Sequence, residues 1–476
     1  MFLLDRVPQS LHAKVSAHWQ SWLAVCEQHH LDSNPLVELP ALGYVWACSD
    51  FAAATICRQP QRWLELVRSG ALQNSWTLVD YQHALNSQIH SIQRVSDALL
   101  MQTLRHFRQQ HMLRIAWRDL AGIATTTETL ANLTDLAEVC VDVTLEYLYQ
   151  DQCQLLGTPL DSAGKAQRMI VLGMGKLGGC ELNFSSDIDL IFAFAEEGET
   201  QGARVMDNGE FFTRLGQRLI RVLNEITADG FVFRVDMFLR PHGASGPLAM
   251  SIDAMEQYYQ TQGRDWERYA MIKARVIGGD RAAGNEMMAM LRPFVYRRYL
   301  DFGAFEAIRD MKAMLDADVK HKGNLDNIKV GLGGIREIEF IGQTYQLIRG
   351  GSEPDLQLRS IIAVLLKLAQ KNVIAETTAH DLIASYDFLR RLENRLQMFA
   401  DAQTHVLPTD NLQRISITLA MQYADWEALT VAITIHRQRV HDYFNNTVAV
   451  PQPAEANTVT DYFARIWRGT ATVLLK

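Results

Sequence analysis

Residues 171–192 read VLGMGKLGGCELNFSSDIDLIF, and the segment from Gly173 to Gly178 matches the G-x-G-x-x-G pattern of dinucleotide-binding loops. In that fold the glycine turn opens a crossover to a second, parallel strand, and the crossover needs at least ~10 to 12 residues. Only eight residues, positions 179 to 186, separate Gly178 from Asp187. The spacing therefore argues against a dinucleotide fold. A Walker A loop is excluded because Leu177 stands where Ser or Thr must bind magnesium.

The Asp-x-Asp motif that follows the glycines points to a metal site and not to a dinucleotide-binding loop. Asp187 and Asp189 are two residues apart on a predicted strand, so they share a face, with Cα atoms ~6.6 Å apart. Most such pairs are only a solvated strand face. Here the alternate positions from Ile188 to Phe194 are all apolar, which places the strand in a core. Two carboxylates on one face of a buried strand favour a magnesium site.

A third carboxylate comes from the stretch GFVFRVDMFLRP at residues 230–241, which alternates like a strand. Asp236 lies on its non-core face, between Arg234 and Arg240 on the same face. It can therefore converge on the first two carboxylates from a neighbouring strand.

The glycines complete the predicted site. The backbone N–H of Gly175 can approach a phosphate, and Lys176 or Ser186 can add a charge or a hydroxyl. Magnesium ions held by several carboxylates clamp the attacking and leaving oxygens of a displacement at phosphorus. The pattern predicts a Mg²⁺-dependent nucleotidyl-transfer site.

The rest of the chain has a helical pattern. Apolar residues recur at three- and four-residue steps from about residue 10 to 155 and again from about 278 to 449. Between these stretches, residues 208–226 predict an amphipathic helix with Asn208 as its N-cap. We expect an α+β, mostly helical protein with a mixed sheet between two helical regions. The predicted divisions are an N-terminal helical region (1–160), a catalytic domain (161–290), a C-terminal helical bundle (291–449), and a linker with the start of a following region (450–476).

Composition limits the class of protein. The net charge of -8 argues against bulk nucleic acid as the main partner. The six cysteines show no paired spacing, which fits a reducing, cytoplasmic setting without disulfides or a zinc cluster. Neither a signal peptide nor the ~20-residue apolar run of a membrane span is present in the sequence. We expect a cytoplasmic protein without a membrane partner, and the helix that opens near the last residue suggests a fragment of a longer chain.

Several long motifs, in one order, resemble a known family. They are GMGKLGGCELNFSSDIDLIF (173–192), FRVDMFLRPHGASGPL (233–248), GRDWERYAMIKARVIGGD (263–280), RPFVYRRYLDF (292–302) and GLGGIREIEFIGQ (331–343). The chain from about His106 to the Pro-rich linker resembles the glutamine synthetase adenylyltransferase/deadenylyltransferase family. That family belongs to the DNA polymerase β-like nucleotidyltransferase superfamily, so the resemblance implies a polymerase β-like catalytic domain.

Members of this family carry two catalytic halves, and ELNFSSDIDLIF behind a long helical region resembles the N-terminal half. That half removes AMP from a tyrosine of glutamine synthetase by phosphorolysis, which gives ADP, whereas the other half attaches AMP from ATP. The implied partners are adenylylated glutamine synthetase, phosphate or ADP, and the PII signalling protein or its uridylylated form. The resemblance implies Asp187, Asp189 and Asp236 as catalytic Mg²⁺ ligands and Gly175, Lys176 and Ser186 along the phosphate path. Phe238 departs from the family, which usually carries Arg there. Arg234 and Arg240 remain on that face and are expected to contact the nucleotide or phosphate.

Other features leave alternatives open. Lys273 and Arg275 could project toward a phosphate or form a solvated face. The glycines at 333 and 334 could bind an anion or simply begin a helix. The basic cluster from Arg390 to Arg395 could dock an acidic partner, but the pattern favours a solvated helix face. For the whole chain, an ATP-using protein adenylyltransferase and a PII-sensing module without its own catalysis remain alternatives.

Overall fold

The computed structural model describes residues 4–32, 39–90, 96–202, 205–297 and 326–447. In these ranges a small mixed sheet lies between helices that precede and follow it in sequence, which confirms the α+β, mostly helical class. The predicted linker and following region at 450–476 lie outside the described residues, as do the last five residues, 298–302, of the RPFVYRRYLDF motif. Across the described ranges, no helix has both the length and the apolar character that crossing a bilayer requires.

Helices fill most of the described chain up to residue 156. They are His12–His29 (α1), Leu42–Cys48 (α2), Asp50–Arg58 (α3), Pro60–Arg68 (α4), Leu78–His90 (α5), Asp97–Leu120 (α6) and Thr126–Leu156 (α7). Both α6 and α7 begin where a hydroxyl accepts a hydrogen bond from a free backbone amide. Ser96 accepts from Leu99, and Thr125 accepts from Glu128. Their apolar faces join the core that covers one side of the sheet.

The sheet explains why the glycine motif does not start a dinucleotide fold. Its strands are Ile170–Gly173 (β2), Ile188–Phe194 (β3), Val235–Asp236 (β5), Ala249–Ser251 (β6) and Arg275–Gly279 (β7), and Thr158–Pro159 (β1) pairs separately with Thr200–Gln201 (β4). Strands β2 and β3 are antiparallel, so no crossover joins them. Between them lies a single helical turn, Gly175–Gly178 (α8). Strands β5 and β6 both run parallel to β3.

Strand β3 is buried on both sides. Its side chains at 188, 190, 192 and 194 pack into the core shared with the N-terminal helices, as the alternation predicts. Ile191 and Ala193 pack into a second cluster on the other face. Asp189 is therefore the polar position on a strand that is otherwise buried throughout its length. Such a strand is held rigidly from both sides.

Two local predictions need correction. The strand predicted over 230–241 is only Val235–Asp236, because Asp236 Oδ1 accepts a hydrogen bond from the Phe238 amide at 2.7 Å and the chain turns away. The helix predicted at 208–226 is Asn208–Asn224 (α9), and its N-cap is Asp207, one residue before the predicted cap. The apolar stripe that makes this helix amphipathic is buried, as expected: Phe211, Phe212, Leu215, Leu219 and Leu223.

Helices dominate again after residue 251. They are Ile252–Thr261 (α10), Asp265–Met271 (α11), Arg281–Val295 (α12), Ile335–Arg349 (α13), Ile361–Gln370 (α14), Glu376–Met398 (α15), Asn411–Ala420 (α16) and Trp426–Thr447 (α17). The solvated face predicted for α15 is wrong, because Arg390 is fully buried and Arg395 nearly so. Arg390 pairs with Glu393, and Arg395 pairs with Asp119 of α6. Helix α15 thus packs between the N-terminal helices and the glycine turn.

Candidate active site

The parallel pairing of β3 with β5 brings two of the predicted carboxylates side by side. Asp189 is directly opposite Asp236 in the register, and the Ile188 amide donates to the Arg234 carbonyl at 2.9 Å. Paired residues of neighbouring strands lie about 4.8 Å apart. The side chains of Asp189 and Asp236 therefore begin at adjacent backbone positions of the paired strands β3 and β5.

Asp187 is held by two side chains from distant parts of the sequence. Arg234 Nε donates to its Oδ1 at 2.5 Å, and Gln403 Nε2 donates to its Oδ2 at 2.9 Å. The Arg234 guanidinium also bonds to the Ser185 carbonyl and lies over the Phe231 ring. Sequence reasoning missed Gln403, which follows α15 in a stretch without a motif.

The glycine turn lies against the same carboxylates. The Met174 amide donates to the Asp189 carbonyl at 2.9 Å. Gly175 has a φ of +51°, and a Cβ there would sit 3.4 Å from Asp189 Oδ2. A Cβ on Gly178 would lie 2.1 Å from the Lys273 carbonyl, which no side chain can tolerate. The first glycine keeps the space beside Asp189 open, and the second lets the turn pack onto the sheet.

The carboxylates repel one another. Burial and then the charge of Asp236 raise the pKa of Asp189 to about 7. Among the described residues, no His, Cys, Asp and Glu side chains form a ready-made set of three metal ligands. Magnesium usually takes one or two carboxylates and completes its shell with water and substrate phosphates. The repelling pair at 189 and 236 fits such an ion.

This repulsion predicts a pH dependence of stability. The folded-state pKa of Asp189 lies above its unfolded value of about 3.9, so stability is lost as pH rises from there through about 7. Asp189→Asn removes this pH-dependent loss of stability, because asparagine cannot ionise. In metal-free buffer we expect the variant to melt on the order of 3 °C above the native chain at pH 8, with a smaller gap at pH 5. Thermal melts at both pH values measure this. A difference in melting temperature that does not change with pH would contradict this prediction. So would an equal difference for the exposed control Asp253→Asn.

The other predicted cations are mostly occupied by internal contacts. Lys176 Nζ lies 2.8 Å from Glu393 Oε1, and Lys273 Nζ lies 2.9 Å from Glu181 Oε2 and 2.6 Å from Glu339 Oε1. Lys273 is buried, so the solvated-face alternative is wrong for it. Arg275 pairs with Glu138 and bonds to the Gly178 carbonyl, whereas Arg240 bonds to backbone carbonyls of its own turn. Ser186 lies half-buried beside Asp187.

These contacts belong to a buried charge cluster that joins the glycine turn to the C-terminal helices. We call it the junction cluster; its members are Lys176, Glu181, Lys273, Glu339, Arg390 and Glu393. Burial alone would raise the pKa of Glu393, yet Lys176 and Arg390 hold it well below its usual range. Burial would lower the pKa of Lys273, yet Glu181 and Glu339 raise it well above its usual value. Glu393 and Lys273 are thus held in their charged forms, and their contacts fix the turn in place.

Helix α15 also holds the residues just before Asp187. The Phe184 amide donates to Asn394 Oδ1 at 3.0 Å, and the Ser185 amide donates to Gln397 Oε1 at 3.0 Å. Both acceptors are fully buried amide side chains. The sequence offered no signal for them, because they sit inside an ordinary helical pattern.

The glycines at 333 and 334 begin a helix and offer no anion site. The first three amides of α13 donate to the carbonyls of Ile328, Lys329 and Gly334. No N–H of that first turn is left to bind a ligand. The helix-entry alternative is therefore confirmed.

A cavity of about 350 Å³ is connected to Asp187 only through Arg234, which contacts Asp187 and lies over a ring of the cavity wall. Phe231, whose ring lies under the Arg234 guanidinium, forms part of its wall. Other lining residues are Phe51, Arg58, Arg108, Gln109 and Asp401. Its wall combines aromatic rings with polar and charged groups, a lining typical of ligand sites.

Comparison with known proteins gives consistent matches. Residues 39–290 match the family model described as glutamate-ammonia ligase adenylyltransferase, and residues 309–448 match the model described as GlnD PII-uridylyltransferase. Three curated relatives, each named bifunctional glutamine synthetase adenylyltransferase/adenylyl-removing enzyme, come from Thioalkalivibrio sulfidiphilus, Nitrosococcus oceani and Pseudomonas aeruginosa. The first is 48% identical over 94% of this chain and 46% of its own length. The second is 49% identical over 98% of this chain and 48% of its own length. The third is 48% identical over 95% of this chain and 46% of its own length. The chain spans about half the length of the relatives it matches.

Proposed function

The chain belongs to the glutamate-ammonia ligase adenylyltransferase family, and from that premise we propose that it removes AMP from adenylylated glutamine synthetase. The reaction is a magnesium-dependent phosphorolysis in which adenylyl-tyrosine and phosphate give tyrosine and ADP. The observation that carries the proposal is the pairing of Asp189 with Asp236 beside Gly175. A non-catalytic module would have no need to maintain two repelling carboxylates on adjacent strands.

Each residue has a proposed task. Asp187, Asp189 and Asp236 would hold magnesium, which when bound would neutralise charge on the reacting phosphates. The backbone of Gly175 lines the space in which the adenylyl phosphate would lie. Arg234 and Gln403 orient Asp187. A phosphate oxygen forms a bond to the adenylyl phosphorus as the bond to the tyrosine oxygen breaks, and the leaving oxygen takes a proton.

The direction of transfer rests on the resemblance of ELNFSSDIDLIF to the adenylyl-removing half. Transfer of AMP from ATP to the same tyrosine would use similar displacement chemistry at phosphorus, so it is the main alternative. The match of residues 309–448 to the GlnD PII-uridylyltransferase model supports a role for the C-terminal helices in responding to PII protein. We therefore propose glutamine synthetase as substrate and PII, or its uridylylated form, as effector.

Product analysis distinguishes the alternatives. The 476-residue chain is incubated with magnesium and adenylylated glutamine synthetase, with or without phosphate, and nucleotides are separated by chromatography. We expect ADP only when phosphate is present. A parallel reaction contains unmodified glutamine synthetase and ATP. AMP attachment there without ADP formation in the first reaction would favour the transferase, and no reaction in either would favour the regulatory module.

A further inference from the structure

The segment that precedes α13 is fixed next to the active site. Asn327 Oδ1 accepts hydrogen bonds from the Lys329 amide at 2.9 Å and the Val330 amide at 3.0 Å. The Ile328 amide donates to the His405 carbonyl at 2.9 Å, and the Lys329 carbonyl accepts from the Arg336 amide. The backbone of Lys329 is thus held from both sides.

The Lys329 side chain differs from the other cations around the site. It is half-buried, and within the described ranges the hydrogen bonds of Lys329 involve only its backbone N–H and carbonyl, with no ion pair to its ammonium. Lys176 and Lys273, by contrast, each contact a glutamate of the junction cluster, and Arg234 contacts Asp187. A partly desolvated ammonium without a counter-charge is unfavourable unless an anion binds it.

The charge of Lys329 reaches the catalytic carboxylates. Burial and Asp236 raise the pKa of Asp189, and Lys329 opposes this rise more strongly than Lys176 does. The same charge acts on Lys176 and on His405, whose Nδ1 lies 3.0 Å from Glu393 Oε1. The placement rests on contacts: Ile328 bonds to the His405 carbonyl, His405 contacts Glu393, and Glu393 contacts Lys176 of the glycine turn. The backbone of Lys329 therefore lies in the layer that supports the glycine turn beside Asp189.

We propose that the Lys329 ammonium binds the inorganic phosphate that attacks the adenylyl group, and then the β-phosphate of the ADP product. This inference rests on the proposed function. A phosphate dianion must approach three carboxylates, and a cation that no protein carboxylate neutralises offsets that repulsion. As the phosphate oxygen bonds to the adenylyl phosphorus, the bond to the tyrosine oxygen breaks and its electron pair leaves with that oxygen. Lys329 stays in contact with the incoming group throughout.

Steady-state kinetics of the 476-residue chain tests this role. We expect Lys329→Met to raise the KM for phosphate at least about tenfold while the KM for adenylylated glutamine synthetase stays unchanged. Lys329→Arg should restore most of the phosphate affinity. The melting temperature should not fall, because Lys329 loses no described partner. The exposed Lys165 provides the control variant Lys165→Met, which should match the native chain.

Nucleotide binding supplies a second measurement that does not depend on turnover. Calorimetry with magnesium should show ADP binding about tenfold weaker in Lys329→Met, with AMP binding unchanged because AMP has no β-phosphate. Equal losses for ADP and AMP, or a native KM for phosphate, would overturn the inference. So would native ADP binding no tighter than AMP binding. If the native chain binds ADP more tightly than AMP but forms no ADP from adenylylated glutamine synthetase, the proposed function is refuted. ADP and AMP binding by Lys329→Met would then still decide whether Lys329 binds the β-phosphate.

Discussion

Replacing Asp187 and Asp189 together by asparagine is expected to lower ADP formation from adenylylated glutamine synthetase by at least about 1,000-fold. Asparagine keeps the shape of each side chain but removes the negative charges that would hold magnesium. The folded chain should survive, because the change also removes repulsion with Asp236. Initial rates of ADP release, measured by chromatography at saturating magnesium and phosphate, give the size of the loss.

The matched control replaces two exposed or half-exposed aspartates, Asp161 and Asp253, by asparagine. This double variant has the same change in net charge and should keep the native rate. Equal ADP release from the Asp187 and Asp189 double variant would show that the active site has been assigned to the wrong residues. Circular dichroism confirms that both double variants are folded before their rates are compared.

The second large effect is expected at Glu393. Its carboxylate is fully buried and contacts Lys176, Arg390 and His405. Glu393→Gln leaves buried cations without their counter-charge, and breaking a buried pair in this way costs about 3–5 kcal/mol of folding free energy. Urea unfolding followed by circular dichroism measures the loss.

Glu376 provides the control for this experiment, because it lies exposed in the first turn of the same helix. Glu376→Gln should change the free energy of unfolding by less than about 1 kcal/mol. If Glu393→Gln proves equally mild, the junction cluster does not hold the glycine turn, and the proposed importance of α15 for the active site is wrong. The remaining folded fraction of Glu393→Gln should also show reduced ADP formation, because Lys176 and the glycine turn lose their support.

The parts of the site that sequence reasoning predicted are local in the chain. Strand β3 follows from the alternation of apolar residues, and the short interval before Asp187 is incompatible with a crossover. The structure agrees, because β2 and β3 are antiparallel. The convergence of Asp236 also depends on a recognisable strand pattern, although only two residues of it pair with β3. Alternation predicts which side chains share a face, but it does not show how far backbone pairing extends.

The parts that sequence reasoning missed come from distant helices and loops. Gln403 reaches Asp187 from 216 residues away, and Glu393 reaches Lys176 from 217. Locally, the arginines and glutamates of α15 look like a solvated helix face, because periodicity does not reveal a partner with complementary charges. Lys329 is equally inconspicuous, and only the fold shows its place near Asp189.

The junction cluster also bears on how relatives of this chain can be recombined. A chimera that exchanges residues 39–290 alone, the extent of the family match, would import Lys176 and Lys273 without Glu339 and Glu393, which lie beyond that boundary. The two parts of such a chimera must therefore carry complementary charges on both sides of the boundary at residue 290. The ion pairs that cross residue 290 set the smallest segment that can be exchanged, and this segment extends at least as far as α15.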